Sequence, residues 1–492
     1  MKTAKTLTKL VLSLLLAGCG GELQQGEVET LGPPTEMTLT GPAKRLCSGL
    51  WVSQREDLEQ LMYSTVLWRD DQVRDYESGE LVFEIDEELQ IVSARYLAED
   101  AVGRVRYFGD QGCVILPEHT DEVFFTPREV TSALPDADAT PWPMGDVLSD
   151  APLPGDVDQA RLDEALATLF DNEKDNRAAY VVVHRGRVIA ERYGGGAHKD
   201  MQLESWSMGK SVTATLIGRL IQLGLLELDQ AAPVPEWQTT PGDPRAEIRV
   251  SDLLRMSSGL RFTYTTDSAE QLAESFVPGQ PDHRLGYVAP IDAFGFATSR
   301  ELEHTPNTVG RYRNCDPLSL GYIVRRIVED ELGEAYHSWP QQALFDKIGS
   351  REWMLETDPY GNFLMTGYNF GTARDWARLG QLYLQGGMWE GEQLLPAEFV
   401  EFVATPAPAW SDGAYGGMFW LNAGRVKIET IPNDAYWAGG AGNQMTLIIP
   451  SRELVIVVLH HRSDVRAASG RWERLHEGLG QTVQAVDPSW KW

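Results

Sequence analysis

The strongest periodicity in the chain lies between residues 205 and 224. Val212, Leu216, Leu220 and Leu223 recur three to four positions apart, which predicts a helix with one buried face that Gly224 stops. Similar amphipathic spacing predicts helices over 161–170, from Leu318 to about Leu332, over 371–387, and from about Val465 to Val483. Ser251 is placed to cap a shorter helix that Gly259 ends. Ala179–His184 is apolar almost throughout and Arg187–Tyr193 follows after the turn Arg185-Gly186, so the two predict a β-hairpin with a buried first strand. Further strands are expected at 417–421, 445–449 and 454–459, the last two joined through Pro450-Ser451-Arg452-Glu453. Strands near both ends of the 159–484 region flank a mostly helical middle. The predicted class is therefore α/β (α+β): one antiparallel sheet flanked by helices, with a helical insert.

Upstream of that region the pattern changes. Short apolar runs at 81–83, 91–92, 105–108 and 114–116 make 46–130 a small β-rich unit. Residues 131–158, rich in Pro, Asp and Ala, are expected to be a linker or a wrapping segment. Residues 19–45 hold Gly32-Pro33-Pro34, Gly41-Pro42 and several glutamates, the composition of a tether.

The first eighteen residues have the make-up of an export signal. Lys2, Lys5 and Lys9 precede a short apolar run, Leu10 to Leu16, too short to span a bilayer. Leu16-Ala17-Gly18-Cys19 matches the bacterial lipobox. That match implies cleavage before Cys19 and a lipid on its thiol, hence a protein anchored in the bacterial cell envelope. Gly20 in place of an aspartate points to the outer membrane. Export also makes a Cys47–Cys113 disulfide the simplest pairing, with two buried free thiols as the alternative; Cys315 is left as a thiol. The formal net charge is −29, and loss of the signal lysines makes it more negative. Such a balance speaks against a nucleic-acid partner. Neither His-Glu-x-x-His nor paired Cys-x-x-Cys occurs, so neither a metal nor another cofactor is expected.

The 205–224 helix carries the candidate chemistry. Ser207 opens it and Lys210 follows three residues later, so both side chains share a face one turn apart. A serine hydroxyl needs a neighbouring base, and a buried lysine can be neutral enough to serve. The helix N-terminus adds N–H groups for an oxyanion. The alternative is a capped helix with a surface lysine, but the chain holds no second Ser-x-x-Lys. Gly310-Arg311-Tyr312-Arg313-Asn314 is a second candidate. A phenol beside Lys210 would be held partly ionised and could relay a proton, and Asn314 could donate its amide to a substrate carbonyl. Tyr360-Gly361-Asn362 has the same spacing but reads as a turn, and Ser257 and Ser258 read as structural.

Trp206-Ser-Met-Gly-Lys-Ser, Asp243-Pro-Arg with Leu253-Leu-Arg-Met-Ser-Ser-Gly-Leu, Tyr312-Arg-Asn, Thr372-Ala-Arg-Asp-Trp-Ala-Arg and Gly439-Gly-Ala-Gly-Asn-Gln occur in that order. In these motifs the chain resembles the serine β-lactamase and penicillin-binding protein superfamily, within it the class C-like esterases and 6-aminohexanoate-dimer hydrolases. The resemblance covers about 159–482. It implies Ser207 as acylated nucleophile, Lys210 as its base, Tyr312 as proton relay and Asn314 as substrate contact. It also implies an oxyanion hole from the N–H groups of Ser207 and of Ala441, next to Gly440 on the third-motif strand. That motif departs from the β-lactamases: Ala438-Gly439-Gly440 stands where they have Lys-Thr-Gly. No cation is placed for a β-lactam carboxylate, so a small ester or linear amide is the expected substrate. A penicillin-recognising enzyme and a non-catalytic binding lipoprotein are the alternatives.

Overall fold

The computed structural model describes residues 34–425, 427–461 and 470–492. The signal segment and Cys19 lie outside the described residues. No helix among them is long and apolar enough to cross a membrane.

The N-terminal segment corrects the tether reading. Pro34–Cys47 is a helix, α1, and its side chains are buried from Leu39 onward. Met37, Leu39, Ala43 and Leu46 supply the apolar face that the Gly41-Pro42 pair obscured. Helical turns over Ser48–Val52 and Leu58–Val66 and the helix α2 (Asp70–Glu77) follow. Then come β1 (Leu81–Asp86), β2 (Ile91–Tyr96), β3 (Val102–Tyr107) and β4 (Cys113–Ile115), an antiparallel sheet in sequential order. The unit is therefore α+β, with α1 lying on the sheet. Gly103 permits the contact, since a Cβ there would stand 2.5 Å from the Thr40 nitrogen. Cys47 and Cys113 form a disulfide that closes α1 onto β4, and Cys315 is a buried thiol.

Residues 131–158 lie against the body as a strap. The Trp142 indole donates to the Gly186 carbonyl at 2.9 Å. Arg378 donates to the carbonyls of Pro143 and Gly145 and to the Asp146 carboxylate, at 2.6–2.7 Å.

The body opens with α3 (Gln159–Phe170), then β5 (Arg177–His184) and β6 (Arg187–Tyr193). β7 (Leu203–Glu204) leads into α4 (Gly209–Gln222), and α5 (Asp282–Val288) and α6 (Cys315–Arg326) lie in the helical middle. β8 (Met354–Leu355) and β9 (Asn369–Gly371) form a small sheet with β7, in the order β7-β9-β8. After α7 (Ala373–Leu384) comes the hairpin β10 (Met388–Trp389) and β11 (Glu392–Gln393). β12 (Trp420–Leu421), β13 (Tyr436–Gly440), β14 (Gln444–Ile449) and β15 (Leu454–His460) complete the main sheet, and α8 (Arg471–Val486) covers it. The main sheet is antiparallel, ordered β12-β13-β14-β15-β5-β6. Every residue of β5 and β15 is buried, because helices cover both faces. The predicted helices and strands differ mainly at their ends. The 417–421 run pairs only at Trp420–Leu421, and the Ser251 helix begins at Val250, where the Asp252 carboxylate accepts from the Arg249 N–H.

Candidate active site

Ser207 sits in a tight turn, Trp206–Met208, between β7 and α4. Trp206 has a φ of 53°, a left-handed conformation that a bulky residue adopts only when its surroundings enforce it. Asn369 of β9 supplies the constraint. Its amide donates to the Trp206 carbonyl at 2.9 Å, and its carbonyl accepts from the Ser205 N–H and hydroxyl at 3.0 and 2.8 Å. The β7–β9 ladder, pairing Leu203 with Gly371 and Glu204 with Phe370, sets this register.

Lys210 stands one turn into the α4 region with its Nζ 2.8 Å from the Ser207 Oγ. The ammonium nitrogen also donates to the Thr366 carbonyl at 2.9 Å. Its side chain is almost wholly buried, and no carboxylate pairs with it among the described residues. Burial alone holds its pKa well below 10.5. The Tyr312 phenol contacts Ser207, and its ring centroid lies 5.0 Å from the Lys210 Nζ. Here the sequence expectation of a partly ionised phenol is corrected. Burial pushes the Tyr312 pKa strongly up, and a lysine that is itself driven towards neutrality offers little charge to oppose this.

Asn314 is buried against this group. Its Nδ2 donates to the His283 carbonyl at 3.1 Å, while its Oδ1 has no hydrogen-bond partner. A carbonyl can only accept, so the amide orientation is fixed and the oxygen is the unpartnered atom. The second Nδ2 hydrogen remains for the expected donation to a substrate carbonyl.

Gly440 ends β13 beside the nucleophile turn. A Cβ there would lie 2.2 Å from the Ser205 carbonyl oxygen and 3.2 Å from the Trp206 Cβ, so glycine is required for the approach. Ala441 follows in an exposed turn. The structure therefore gathers Ser207, Lys210, Tyr312, Asn314 and Gly440, with Ala441 next in the chain. Tyr360 lies elsewhere, in a turn where its N–H donates to Asp358, and Ser258 donates to the buried Asp316 carboxylate at 2.5 Å.

Two members of the site carried no sequence signal. Tyr287, on α5, donates to the Thr366 carbonyl at 2.7 Å and lies within hydrogen-bonding reach of Ser207 and Asn314. Burial pushes its phenol up to about 12. Thr366 contributes a main-chain oxygen, which no side-chain motif reveals. The walls are aromatic: Tyr312 stacks on Trp420 at 5.4 Å, and Tyr415 meets it edge-on at 6.0 Å. His283, beside Tyr264 and Tyr287, is held neutral chiefly by burial, with the Arg313 guanidinium acting in the same direction.

An antiparallel sheet with covering helices, and a helix-borne Ser-x-x-Lys against a buried tyrosine, define a serine hydrolase of the β-lactamase, esterase and amidase type. The Beta-lactamase family model matches residues 166–479, and the chain belongs to that family. A 6-aminohexanoate-dimer hydrolase of Paenarthrobacter ureafaciens is 26% identical over 343 residues, covering 65% of this chain and 82% of that protein. A Bacillus anthracis structure described as a 6-aminohexanoate-dimer hydrolase aligns with a TM-score of 0.50 at 20% identity, over 73% of this chain and 88% of its own. A Bacteroides dorei structure described as a β-lactamase aligns with a TM-score of 0.51 at 18% identity, over 67% of this chain and 99% of its own.

Proposed function

We propose that the chain hydrolyses esters or linear amides through an acyl-enzyme on Ser207. The observation that carries this reading is the 2.8 Å contact between the Ser207 Oγ and a buried lysine that, among the described residues, pairs with no carboxylate. Neutral Lys210 accepts the hydroxyl proton as Oγ attacks the acyl carbon. The N–H groups of Ser207 and Ala441 receive the developing oxyanion. Collapse of the tetrahedral species expels the alcohol or amine, which takes up the proton from Lys210, directly or through the protonated Tyr312. Water then adds to the acyl-serine, giving up a proton to the same base. The acid leaves and Ser207 regains its hydrogen.

Similarity to a protein named 6-aminohexanoate-dimer hydrolase supports a linear amide. Ala438 at the third motif leaves no cation there for a β-lactam carboxylate, which argues against the penicillin-recognising alternative. Lys427, over the Trp420 ring at 5.3 Å, is solvent-exposed and stands 4.0 Å from Asp412, a poor substitute. The lysines and apolar run ahead of Leu16-Ala17-Gly18-Cys19 support a lipid anchor in the cell envelope. Its test is Cys19→Ala, expected to move the protein out of the membrane fraction.

The direct test of the nucleophile is a fluorophosphonate probe on the purified protein, with the adduct located by mass spectrometry. One adduct on Ser207, and loss of both adduct and nitrophenyl-ester turnover in Ser207→Ala, is the expected result. Turnover that survives the substitution would remove Ser207 from the mechanism.

A further inference from the structure

The N-terminal unit lies outside the family match, which begins at residue 166. The Bacteroides dorei structure is matched over 99% of its length by 67% of this chain, so about a third of this chain is additional to it. The unit touches the body at many places, among them Phe124 against Tyr360 and Phe125 against His337, but three of its contacts lie next to a catalytic group. The Trp68 ring packs on Trp206, the residue before the nucleophile, with ring centroids 4.9 Å apart. Trp68 is itself held by the Arg45 guanidinium, 3.8 Å over its ring, and by an indole bond to the Thr65 carbonyl at 2.6 Å. The Lys44 Nζ pairs with Glu356 at 2.7 Å and lies 4.1 Å over the Tyr368 ring, with both charged groups fully buried. Glu356 and Tyr368 bracket the turn that presents the Thr366 carbonyl. The Leu364 N–H donates to the Glu356 carbonyl at 2.8 Å, and the Glu356 N–H to the Tyr368 carbonyl at 3.0 Å. The Glu356 carboxylate also accepts from the Ser48 hydroxyl and the Cys113 N–H, at 2.8 and 2.9 Å. Finally, the Thr40 hydroxyl donates at 2.6 Å to the Val288 carbonyl, one residue after Tyr287.

We infer that Trp68 and Lys44 are positioning residues, and that the N-terminal unit holds the nucleophile turn and the Thr366 turn in their reactive geometry. Trp206 is kept at a positive φ, and such a conformation relaxes when its supports are removed. On the Ser207 side, relaxation rotates the hydroxyl away from Lys210. On the Thr366 side, a shift of the carbonyl frees the Lys210 and Tyr287 hydrogens that it now fixes. A displacement of about 1 Å at such groups costs roughly 100-fold in rate. The inference rests on the proposed Ser207 mechanism.

The test uses the full chain with Trp68→Ala, Trp68→Phe and Lys44→Met beside the wild type. The readouts are melting temperature, the pH profile of kcat/KM on a nitrophenyl ester, and the rate of fluorophosphonate labelling. Trp68 is only partly buried, so its alanine variant keeps the assay informative if Lys44→Met fails to fold. Trp68→Ala is expected to fold, to label and turn over at least tenfold more slowly, and to show a displaced lysine limb in its pH profile. Trp68→Phe should recover most of the rate. Folded Trp68→Ala with a lowered melting temperature but wild-type labelling and pH profile would overturn the inference, leaving the unit a stabiliser only. Wild-type protein that does not label at Ser207 would overturn the underlying mechanism, and this inference with it.

Discussion

At Lys210, a single environment sets both protonation state and reactivity. A lysine whose pKa is lowered is charged, and idle as a base, below that value and neutral above it. The kcat/KM on a small ester is therefore expected to rise with pH through a limb well below 10.5, and Lys210→Met should lose roughly 100- to 10,000-fold in rate along with the limb. Measuring the profile on both proteins checks this. Asp316 behaves in the opposite sense. Burial raises its pKa from 3.8 to about 7, while the Ser258 hydroxyl and the Cys315 thiol donate to it. A carboxyl raised in the folded state favours folding while protonated, so its contribution weakens as pH climbs from about 4 to about 7, by up to about 1.4 kcal/mol per pH unit. Asp316→Asn should melt with a flatter pH dependence over that range. Ser207, Lys210 and Tyr312 were legible because their chemistry resides in side chains at fixed spacing. Tyr287 was not, since nothing near it in the chain marks it and its partner is a main-chain oxygen.

At the scale of elements, the nucleophile helix depends on how closely β9 and the Thr366 turn approach it. Gly209 makes that approach possible: a Cβ would lie 2.1 Å from the Asn369 Nδ2 and 2.2 Å from the Met365 carbonyl oxygen. Gly209→Ala is expected to cost about 1–3 kcal/mol of stability and to impair turnover more than a remote glycine change of equal stability loss. Denaturant melts paired with ester kinetics separate the two effects. The long periodic elements were readable because burial imposes their pattern. α4, α7, β5 and β15 all lie within a few residues of where apolar spacing places them. The opposite happened at α1, where Gly41-Pro42 resembles linker punctuation and outweighed four correctly spaced apolar residues. The 417–421 strand was predicted too long, because Gly416 and Phe419 close a turn by the Gly416 N–H to Phe419 carbonyl bond and the Phe419 ring packs on Tyr383 in the core, leaving only Trp420–Leu421 to pair with β13.

Over the whole molecule, the disulfide braces the N-terminal unit internally, while the buried Lys44–Glu356 pair joins that unit, which lies ahead of the family match, to the body. Cys47 and Cys113 are 66 residues apart, and chain-entropy reasoning gives such a crosslink about 4 kcal/mol. Thermal melts with and without reductant are expected to show a clear fall on reduction. The order of the main sheet has another consequence, in time instead of space. β5 is fully buried between β6 and β15, and its His184 pairs with Leu454, near the far end of the domain. During synthesis that apolar strand can pair at once with β6 on one edge, while its other edge waits for a partner made almost last. Non-local pairing of this kind is slow and leaves the strand open to aggregation meanwhile. A chain cut short before Leu454 lacks the β15 partner of β5, and is expected to aggregate instead of building the native sheet, which a light-scattering comparison with the full chain checks.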